Sequence, residues 1–276
     1  MELYLAGGFT GNTGPLWRAT VDRGISIEQS MELFLAGVHP IKNGSLANWD
    51  DLNILESYYY AKDNKYIPHL LPHARNFLLD SGAFTFMQSG EKVDWNRYVN
   101  EFADYINKHD VKLFFELDLD SVIGLGPTEK LRDLLEARTG KKVIPVWHVE
   151  RGKDYFIDMC KEYDYVALGS IAKVKGGKTK ITEKYFPWFW NTAMAHNSKI
   201  HALGYTPKNL KDCKFTSVDS TAWLHGNIGG FVYKFDMAKG EMVQHSKPAG
   251  SRLKSRAVAV NNYNEWVRYM KWLRTV

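Results

Sequence analysis

The feature that most constrains the fold is a regular alternation of short apolar runs with longer amphipathic segments. The clearest run, NFLLDSGAFTF at Asn76–Phe86, places a mostly apolar stretch before Asp80, Ser81 and Gly82. A short apolar run closed by glycine is typical of a strand buried on both faces. Strands that alternate with helices indicate βα units and a parallel sheet. Roughly eight such strands predict an α/β fold of the (β/α)8 TIM-barrel type, or a slightly irregular version of it.

The predicted elements form a single domain over residues 1–276, closed by a C-terminal helix. The predicted strands are Met1–Gly7, Met31–Gly37, Asn76–Asp80, Lys112–Asp118, Lys142–Trp147, Tyr165–Gly169, Lys199–Gly204, Lys214–Asp219 and Gly230–Phe235. The predicted helices are Trp49–Lys62, Asp94–His109, Thr128–Thr139, Lys153–Glu162, Thr182–His196, Pro207–Lys211 and Asn262–Arg274. An open doubly wound sheet is the alternative, although no GxGxxG follows the first strand to support a dinucleotide site.

Composition narrows the classes of partner. The net charge of +5 and the pI of about 8.9 permit a nucleic-acid partner without requiring one. The two cysteines, Cys160 and Cys213, stand alone, which excludes a Cys-based zinc cluster and argues against a disulfide framework. The sequence opens directly into a predicted strand, and no apolar stretch approaches the length of a membrane helix. We therefore expect a cytoplasmic protein without a membrane partner, a metal or a cofactor.

Polar or very small residues follow the apolar runs where the predicted strands end. These positions are Asp80, the ELDLD segment Glu116–Asp120, His148, Gly169–Ser170, Gly204–Tyr205 and Asp219–Thr221. In a barrel the carboxyl ends of the strands share one rim, and that rim holds the active site. Carboxylates gathered there repel one another unless each has a donor or a function. The sequence therefore predicts an acidic site at the rim.

Several of these residues have two interpretations. Asp80 followed by Gly82 and Phe84 suits a planar, hydrogen-bonding ligand such as a base, or else Asp80 caps a turn. In ELDLD the alternation places three carboxylates on one side if the strand continues through the motif. At most two of them can meet a ligand, with Asp118 favoured over Asp120, and the others pair with lysines or cap the next loop. His148 is either a ligand contact or a core histidine bonded to a carbonyl.

A set of motifs occurs in a fixed order between Asn76 and Trp223. The motifs are LLDSGAF at Leu78–Phe84, ELDLD at Glu116–Asp120, PVWHVERG at Pro145–Gly152, YVALGSIA at Tyr165–Ala172, HALGYT at His201–Thr206 and SVDSTAW at Ser217–Trp223. Together they resemble the tRNA-guanine transglycosylase superfamily, and most of all its compact, phage-type members. Those members include enzymes that put 7-deazaguanines into DNA. DSGAF and SVDSTAW are the most specific of these motifs.

The resemblance implies two catalytic carboxylates. Asp219 matches the nucleophile that attacks the sugar, and Asp80 matches the acid/base aspartate. Double displacement through a covalent sugar intermediate follows the logic of the retaining glycosidases. Ser220 and Thr221 offer hydroxyls that can orient the Asp219 carboxylate.

The resemblance also implies a pocket for the base. Phe84 matches the aromatic residue that stacks on the base, and Leu203 matches the apolar residue on its other face. Asp118 matches the aspartate that recognises the guanine edge, with Asp120 as the alternative. His148 stands where the family usually has a glutamine that contacts the base. The expected base-binding set is completed by Ser81, Gly82, Gly169, Ser170 and Gly204.

The departures from the family bear on the substrate. The family's zinc site of three cysteines and a histidine beyond the nucleophile is absent from this sequence. That subdomain lies near the RNA in the tRNA enzymes, so its loss favours DNA over tRNA as the nucleic-acid partner. The expected activity is exchange of guanine for a 7-deazaguanine base resembling preQ0.

Two basic segments are candidates for holding phosphates, although such charge runs are often only solvated surface. The residues concerned are Lys173, Lys175, Lys178, Lys180, Arg252, Lys254 and Arg256. Three alternatives to a DNA transglycosylase stay open: a tRNA-guanine transglycosylase, a nucleoside or glycoside hydrolase that uses water as acceptor, and a barrel that binds nucleic acid without catalysis. The sequence leaves the oligomeric state open.

Overall fold

The computed structural model describes residues 30–37, 50–83, 85–86, 92–169, 181–224, 231–246 and 255–276. Some predicted features lie outside these ranges. They are the strand Met1–Gly7 and the candidate site residues Phe84, Ser170, Lys173, Lys175, Lys178, Lys180, Arg252 and Lys254.

Eight parallel strands form one sheet in the order β4-β3-β2-β1-β8-β7-β6-β5. Their bounds are β1 Glu32–Ala36, β2 Asn53–Ser57, β3 Asn76–Asp80, β4 Leu113–Phe114, β5 Val146–Trp147, β6 Tyr165–Leu168, β7 Lys199–Ala202 and β8 Ser217–Ser220. A parallel bridge between Phe115 and Ile144 connects the two outer strands, β4 and β5, and so joins the sheet to itself. The predicted (β/α)8 barrel is confirmed.

Helices alternate with these strands. Their bounds are α1 Tyr58–Ala61, α2 Ile67–Leu70, α3 Trp95–Lys108, α4 Asp120–Ile123, α5 Leu125–Thr139, α6 Gly152–Glu162, α7 Phe186–Ala195 and α8 Ser255–Leu273, with 3-10 turns at Leu71–His73, Val149–Arg151, Glu183–Tyr185 and Leu210–Asp212. Asp94 caps α3 by accepting a hydrogen bond from the Arg97 N–H. Among the helices described, none is long and apolar enough to cross a membrane.

The strands are buried on both faces, as the apolar runs predicted. One apolar cluster fills the barrel interior with alternate residues of the strands: Phe34, Ala36, Leu55, Leu78, Phe115, Ile144, Val146 and Ala167. The intervening residues, such as Leu33, Ile54, Leu79 and Val218, pack with the helices in a second, larger cluster. Because side chains alternate along a strand, each strand fixes which of its residues reach the interior.

The helix predicted over Trp49–Lys62 is wrong where the structure describes it. Asn53–Ser57 is strand β2, paired in parallel with β1 and β3, and only one helical turn, Tyr58–Ala61, follows it. The polar residues of NILES hid the strand from the sequence pattern. Asn53 is fully buried, and its side chain forms hydrogen bonds with Glu32 and Asn76, the residues beside it in the sheet. Internal pairing of this kind is how buried polar groups are tolerated.

The region after the barrel also differs from the prediction. The strand expected at Gly230–Phe235 is β9, Phe231–Asp236, and it pairs antiparallel with a strand that the sequence analysis missed, β10, Glu241–Ser246. The closing helix α8 begins at Ser255 rather than near residue 262. Arg256, expected in a basic loop, therefore lies in the first turn of that helix and is exposed.

Candidate active site

The barrel brings four of the predicted site residues to one rim. Asp80 and Asp219 stand at the carboxyl ends of β3 and β8, while His148 and Leu203 immediately follow β5 and β7. Asp80 lies two residues beyond the interior residue Leu78, so the alternation along β3 directs it to the barrel interior. The charge of Asp219 affects the pKa of Asp80, which means that the two carboxylates lie within electrostatic reach of each other.

The pKa of Asp80 is raised from 3.8 to about 6. Withdrawal from water is the largest cause, and the nearby charges of Asp118 and Asp219 add to it. A hydrogen bond from the Gly82 N–H to Oδ2, at 3.0 Å, and the Ser57 hydroxyl act in the opposite direction. A carboxyl group with this pKa changes protonation state near neutral pH, as a proton-transfer group must.

The turn after Asp80 is held tightly. Gly82 has φ of 78°, and a Cβ there would lie 2.7 Å from the Tyr59 Cβ and 2.8 Å from the Ser57 Oγ. Only glycine fits this backbone and this contact. Ser81, expected to bind substrate, is buried, and its carbonyl accepts a 2.6 Å hydrogen bond from the Tyr98 hydroxyl. These contacts fix the direction in which the Asp80 carboxylate leaves the strand.

Asp219 has two polar contacts on the same oxygen. Its Oδ1 accepts a hydrogen bond from the Gly204 N–H at 2.7 Å and lies 3.2 Å from Nε2 of His201. Ser220, expected to orient this carboxylate, instead accepts from the Ala222 N–H and pairs with the hydroxyl of Thr206. The predicted role of the Ser220 hydroxyl is therefore wrong, and a backbone N–H together with a buried histidine takes its place. Gly204, predicted to belong to the base-binding set, thus donates a hydrogen bond to the candidate nucleophile.

Asp118 and His148 form a pair. Nε2 of His148 lies 2.7 Å from Oδ1 and 2.8 Å from Oδ2 of Asp118. Burial alone would lower the pKa of His148, but the hydrogen bond and the charge of Asp118 outweigh it and raise that pKa. Both side chains keep part of their surface exposed, at 22% for His148 and 30% for Asp118. The pair can therefore present a charged, hydrogen-bonding edge to a ligand at the rim.

Gly169 makes room for this pair. A Cβ at residue 169 would lie 2.2 Å from Cε1 and 2.6 Å from Nδ1 of His148, far inside van der Waals contact. Its N–H donates to the Trp147 carbonyl at 2.8 Å, which ties the end of β6 to β5. The glycine predicted to approach a base with its backbone therefore also seats the imidazole beside Asp118.

Asp120 and Glu116 belong to a buried ion-pair network below the rim. Arg151 binds both oxygens of Asp120, at 2.5 and 2.7 Å, and its Nη1 lies 3.0 Å from Oε1 of Glu116. Glu116 also accepts a 2.7 Å hydrogen bond from the Val146 N–H, and Arg132 lies beside it. Burial raises the pKa of Glu116, while the two guanidinium groups oppose that shift.

This network gives the two aspartates of ELDLD different surroundings. The strand does not continue through the motif, since β4 ends at Phe114 and Asp120 begins helix α4. The three carboxylates therefore do not share one side, and the partners of Glu116 and Asp120 are arginines rather than the expected lysines. Asp120 has both oxygens bound to Arg151 and is 17% exposed, whereas Asp118 is 30% exposed and is the more accessible of the two carboxylates.

Sequence reasoning missed two residues of this region, His201 and Arg151. Both stand inside quoted motifs, HALGYT and PVWHVERG, but neither was assigned a role. A signal for His201 was available, because a histidine at an alternate position of a buried strand must find polar partners. Arg151 gave no comparable signal, because its partners lie 31 and 35 positions earlier in the chain.

The zinc site of the family that the motifs resemble does not fit this chain. Cys160 is buried in α6 and Cys213 follows the 3-10 turn at Leu210–Asp212. Burial raises the pKa of Cys160 to about 12 and that of Cys213 to about 11, which disfavours the thiolate that a metal needs. The ranges covered by the structure contain no cluster of three or more His, Cys, Asp or Glu side chains suited to a metal ion.

The chain is similar to known proteins in its fold only. No protein-family model and no curated protein matches the chain. Among solved structures, it is similar to a mutant tryptophan synthase alpha-subunit from Pyrococcus furiosus, with a TM-score of 0.49 and 12% identity over 87% of this chain and 98% of that one. It is also similar to the carboxyl transferase domain of Rhizobium etli pyruvate carboxylase, with a TM-score of 0.43 and 12% identity over 90% of this chain and 48% of that one. Both names are those of enzymes, and likeness at this level transfers neither substrate nor residue roles.

Proposed function

We propose that this protein is a transglycosylase that exchanges guanine for a 7-deazaguanine base in nucleic acid, with DNA favoured over tRNA. The proposal joins the motif resemblance to the chemistry of the rim. The observation that carries it is the difference between two carboxylates within electrostatic reach of each other. Burial raises the pKa of Asp80 to about 6 against the opposing effect of the Gly82 N–H and the Ser57 hydroxyl, whereas Asp219 has the Gly204 N–H and Nε2 of His201 on a single oxygen.

Such a difference suits a double displacement, in which two carboxyl groups need different protonation states. Asp219 attacks C1′ of the target nucleotide, forming a C1′–O bond while the C1′–N bond to guanine breaks. Asp80 gives its proton to the departing guanine. The incoming deazaguanine then loses a proton to Asp80, its nitrogen attacks C1′, and the Asp219 carboxylate is released. Two displacements at C1′ preserve its configuration.

Base recognition falls to the Asp118–His148 pair. A guanine edge offers N–H donors, and a partly exposed carboxylate beside an imidazole can accept them. Leu203, which packs at the upper edge of the interior cluster, supplies an apolar face for the base ring. The target nucleotide must leave its stack to reach a barrel rim, as in other enzymes that act on bases.

The choice of DNA rests on the missing zinc subdomain, and the basic segments are the proposed phosphate contacts. Arg256, exposed at the start of α8, is the one of these basic residues that the structure describes. The remaining basic candidates belong to segments outside the described ranges.

The test is incubation of the purified protein with duplex DNA or with tRNA, in the presence of labelled guanine or labelled preQ0. Incorporation of label into DNA is the expected result. Incorporation into tRNA alone would move the activity to the tRNA alternative. Release of free guanine without incorporation would indicate a hydrolase, and binding without either reaction would indicate a non-catalytic barrel.

A further inference from the structure

A buried histidine contacts the candidate nucleophile from inside the barrel. His201 lies on β7, is fully buried, and packs between the rings of Phe34 and Phe115, with centroid distances of 6.0 and 5.2 Å. Its Nε2 is 3.2 Å from Oδ1 of Asp219, and its Nδ1 is hydrogen bonded to the hydroxyl of Ser217. Both nitrogens of a buried imidazole are thus satisfied by partners on the neighbouring strand β8.

The hydrogen bonds continue one strand further. The Ser217 hydroxyl also contacts the hydroxyl of Tyr165, which lies at the start of β6. Burial raises the pKa of Tyr165 to about 12, so this phenol keeps its proton near neutral pH. The result is a chain of four side chains across three adjacent strands, from Tyr165 through Ser217 and His201 to Asp219.

For a neutral imidazole beside an ionised carboxylate, the protons in this chain have one consistent arrangement. An ionised carboxylate only accepts hydrogen bonds, so Nε2 of His201 must carry the proton that reaches Asp219. If the Tyr165 hydroxyl donates to Ser217, then Ser217 is free to donate to Nδ1. Ser217 and His201 then each receive one hydrogen bond and give one in the same direction, from the Tyr165 hydroxyl at one end to the Asp219 carboxylate at the other. The hydrogen bond made at one ring nitrogen is what selects the tautomer at the other.

This arrangement distinguishes the two oxygens of Asp219. Oδ1 receives hydrogen bonds from the Gly204 N–H and from His201. Within the part of the chain that the structure describes, no hydrogen bond is made to Oδ2. Oδ2, whose lone pairs are not engaged by these donors, is therefore the oxygen able to attack C1′.

We propose that His201 is a positioning residue, held as the Nε2–H tautomer by Asp219 at one nitrogen and by Ser217 and Tyr165 at the other, and that it clamps Oδ1 of Asp219 and leaves Oδ2 as the attacking oxygen. The role of the attacking oxygen rests on the proposed function, because it takes Asp219 as the nucleophile. The tautomer and the clamp do not, because they are properties of the unliganded protein. A purely structural histidine would need a polar partner but no particular donor aimed at Asp219.

The first test measures the tautomer without any activity. In protein labelled with ¹⁵N-histidine, long-range proton–nitrogen spectra distinguish protonated from bare ring nitrogens, and the His201 signal is assigned by its loss in His201→Gln. We expect a protonated Nε2 and a bare Nδ1 at neutral pH. We expect Asp219→Ala, which removes the acceptor-only partner of Nε2 and leaves hydroxyls that can either donate or accept, to abolish this preference and give a mixture of tautomers. A protonated Nδ1 in the wild-type protein, or an unchanged tautomer in Asp219→Ala, would overturn the proposal.

The second test separates positioning from packing. His201→Gln keeps an N–H donor near the Nε2 position, whereas His201→Leu keeps bulk and removes the donor. With DNA and preQ0 we expect His201→Leu to slow base exchange about 100-fold, a loss typical of a misplaced reacting group, and His201→Gln to recover most of it. DNA affinity should be unchanged in both variants. Equal rates for the two variants would contradict the proposal.

The two tests keep the claims apart. If the wild-type protein exchanges no base while the tautomer result holds, the proposed function fails and the clamp on Asp219 stands. If exchange is observed but the tautomer is the other one, the proposed function stands and the positioning role fails. Should His201→Leu not fold, His201→Asn, whose amide is too short to reach Oδ1, replaces it in the exchange assay, and exchange there as fast as in His201→Gln would contradict the proposal.

Discussion

Nε2 of His148 lies almost equally far from the two carboxylate oxygens of Asp118, at 2.7 and 2.8 Å. The sequence had suggested two separate contacts with a base, one from each residue. In the structure the two side chains are joined before any ligand arrives. A ligand that reaches Asp118 therefore meets a carboxylate whose orientation is already fixed by the imidazole, which lowers the cost of ordering it on binding.

Gly169→Ala tests how this pair is seated. The new Cβ would lie 2.2 Å from Cε1 of His148, so the imidazole must move away from Asp118. Loss of that hydrogen bond leaves burial as the main influence, and we expect the pKa of His148 to fall from its raised value. The measurement is an NMR titration of the His148 ring. Gly126→Ala is the matched control, since a Cβ there meets nothing within 4 Å. An unchanged His148 titration in Gly169→Ala would contradict the claim that Gly169 leaves room for the imidazole beside Asp118.

Asp80→Asn tests the raised pKa of Asp80 through stability. In the wild-type protein the folded-state pKa is about 6 against 3.8 for the unconstrained group. Between these pH values the unfolded chain has released its proton while the folded protein still binds one, so stability falls as pH rises through this window. Below pH 3.8 the penalty is absent, and above pH 6 it is complete.

The asparagine variant carries no such penalty. We expect Asp80→Asn to be more stable than wild type by about 2–3 kcal/mol at pH 8, with the difference shrinking steadily towards pH 4. Urea denaturation of both proteins at several pH values measures the difference, and effects of titrating groups that do not interact with Asp80 cancel. A difference that does not vary with pH would show that Asp80 titrates normally.

Arg151→Met tests the network below the rim. Its side chain is 1% exposed and it pairs with both Asp120 and Glu116, so its removal leaves two poorly compensated carboxylates. Breaking a buried pair of this kind typically costs about 3–5 kcal/mol. Urea denaturation measures the loss. Arg97→Met is the matched control, because Arg97 pairs with Glu101 on the exposed face of α3 and should leave stability unchanged. Equal stability of the two variants would show that the network contributes nothing.

The barrel could be predicted from the sequence because most of its strands coincide with short apolar runs. Residues such as Phe77–Leu79 and Val166–Leu168 are buried on both faces and are followed by a turn. Strand β2 could not be predicted in this way. Its polarity is neutralised by Glu32 and Asn76 on strands distant in sequence, and such pairing is visible only once the sheet is formed.

The sequence predicted which strand ends carry polar residues, and it predicted less of how those residues are held. Asp80 and Asp219 were found because an acidic residue at the end of a buried strand is unusual. The partners of these residues follow from register and were missed. The Gly204 N–H reaches Asp219 because β7 and β8 are neighbours, and no local pattern distinguishes that amide from any other.

The central claim is that Asp219 forms a covalent bond with the sugar of the target nucleotide. The most direct measurement incubates the protein with guanine-containing DNA without an incoming base, quenches with acid, and seeks the protein–DNA adduct by mass spectrometry with peptide mapping. We predict an adduct on the peptide that contains Asp219, absent in Asp219→Asn, a variant expected to bind DNA normally because phosphate contacts lie elsewhere. Wild-type exchange activity in Asp219→Asn, or an adduct on any other residue, would contradict the account.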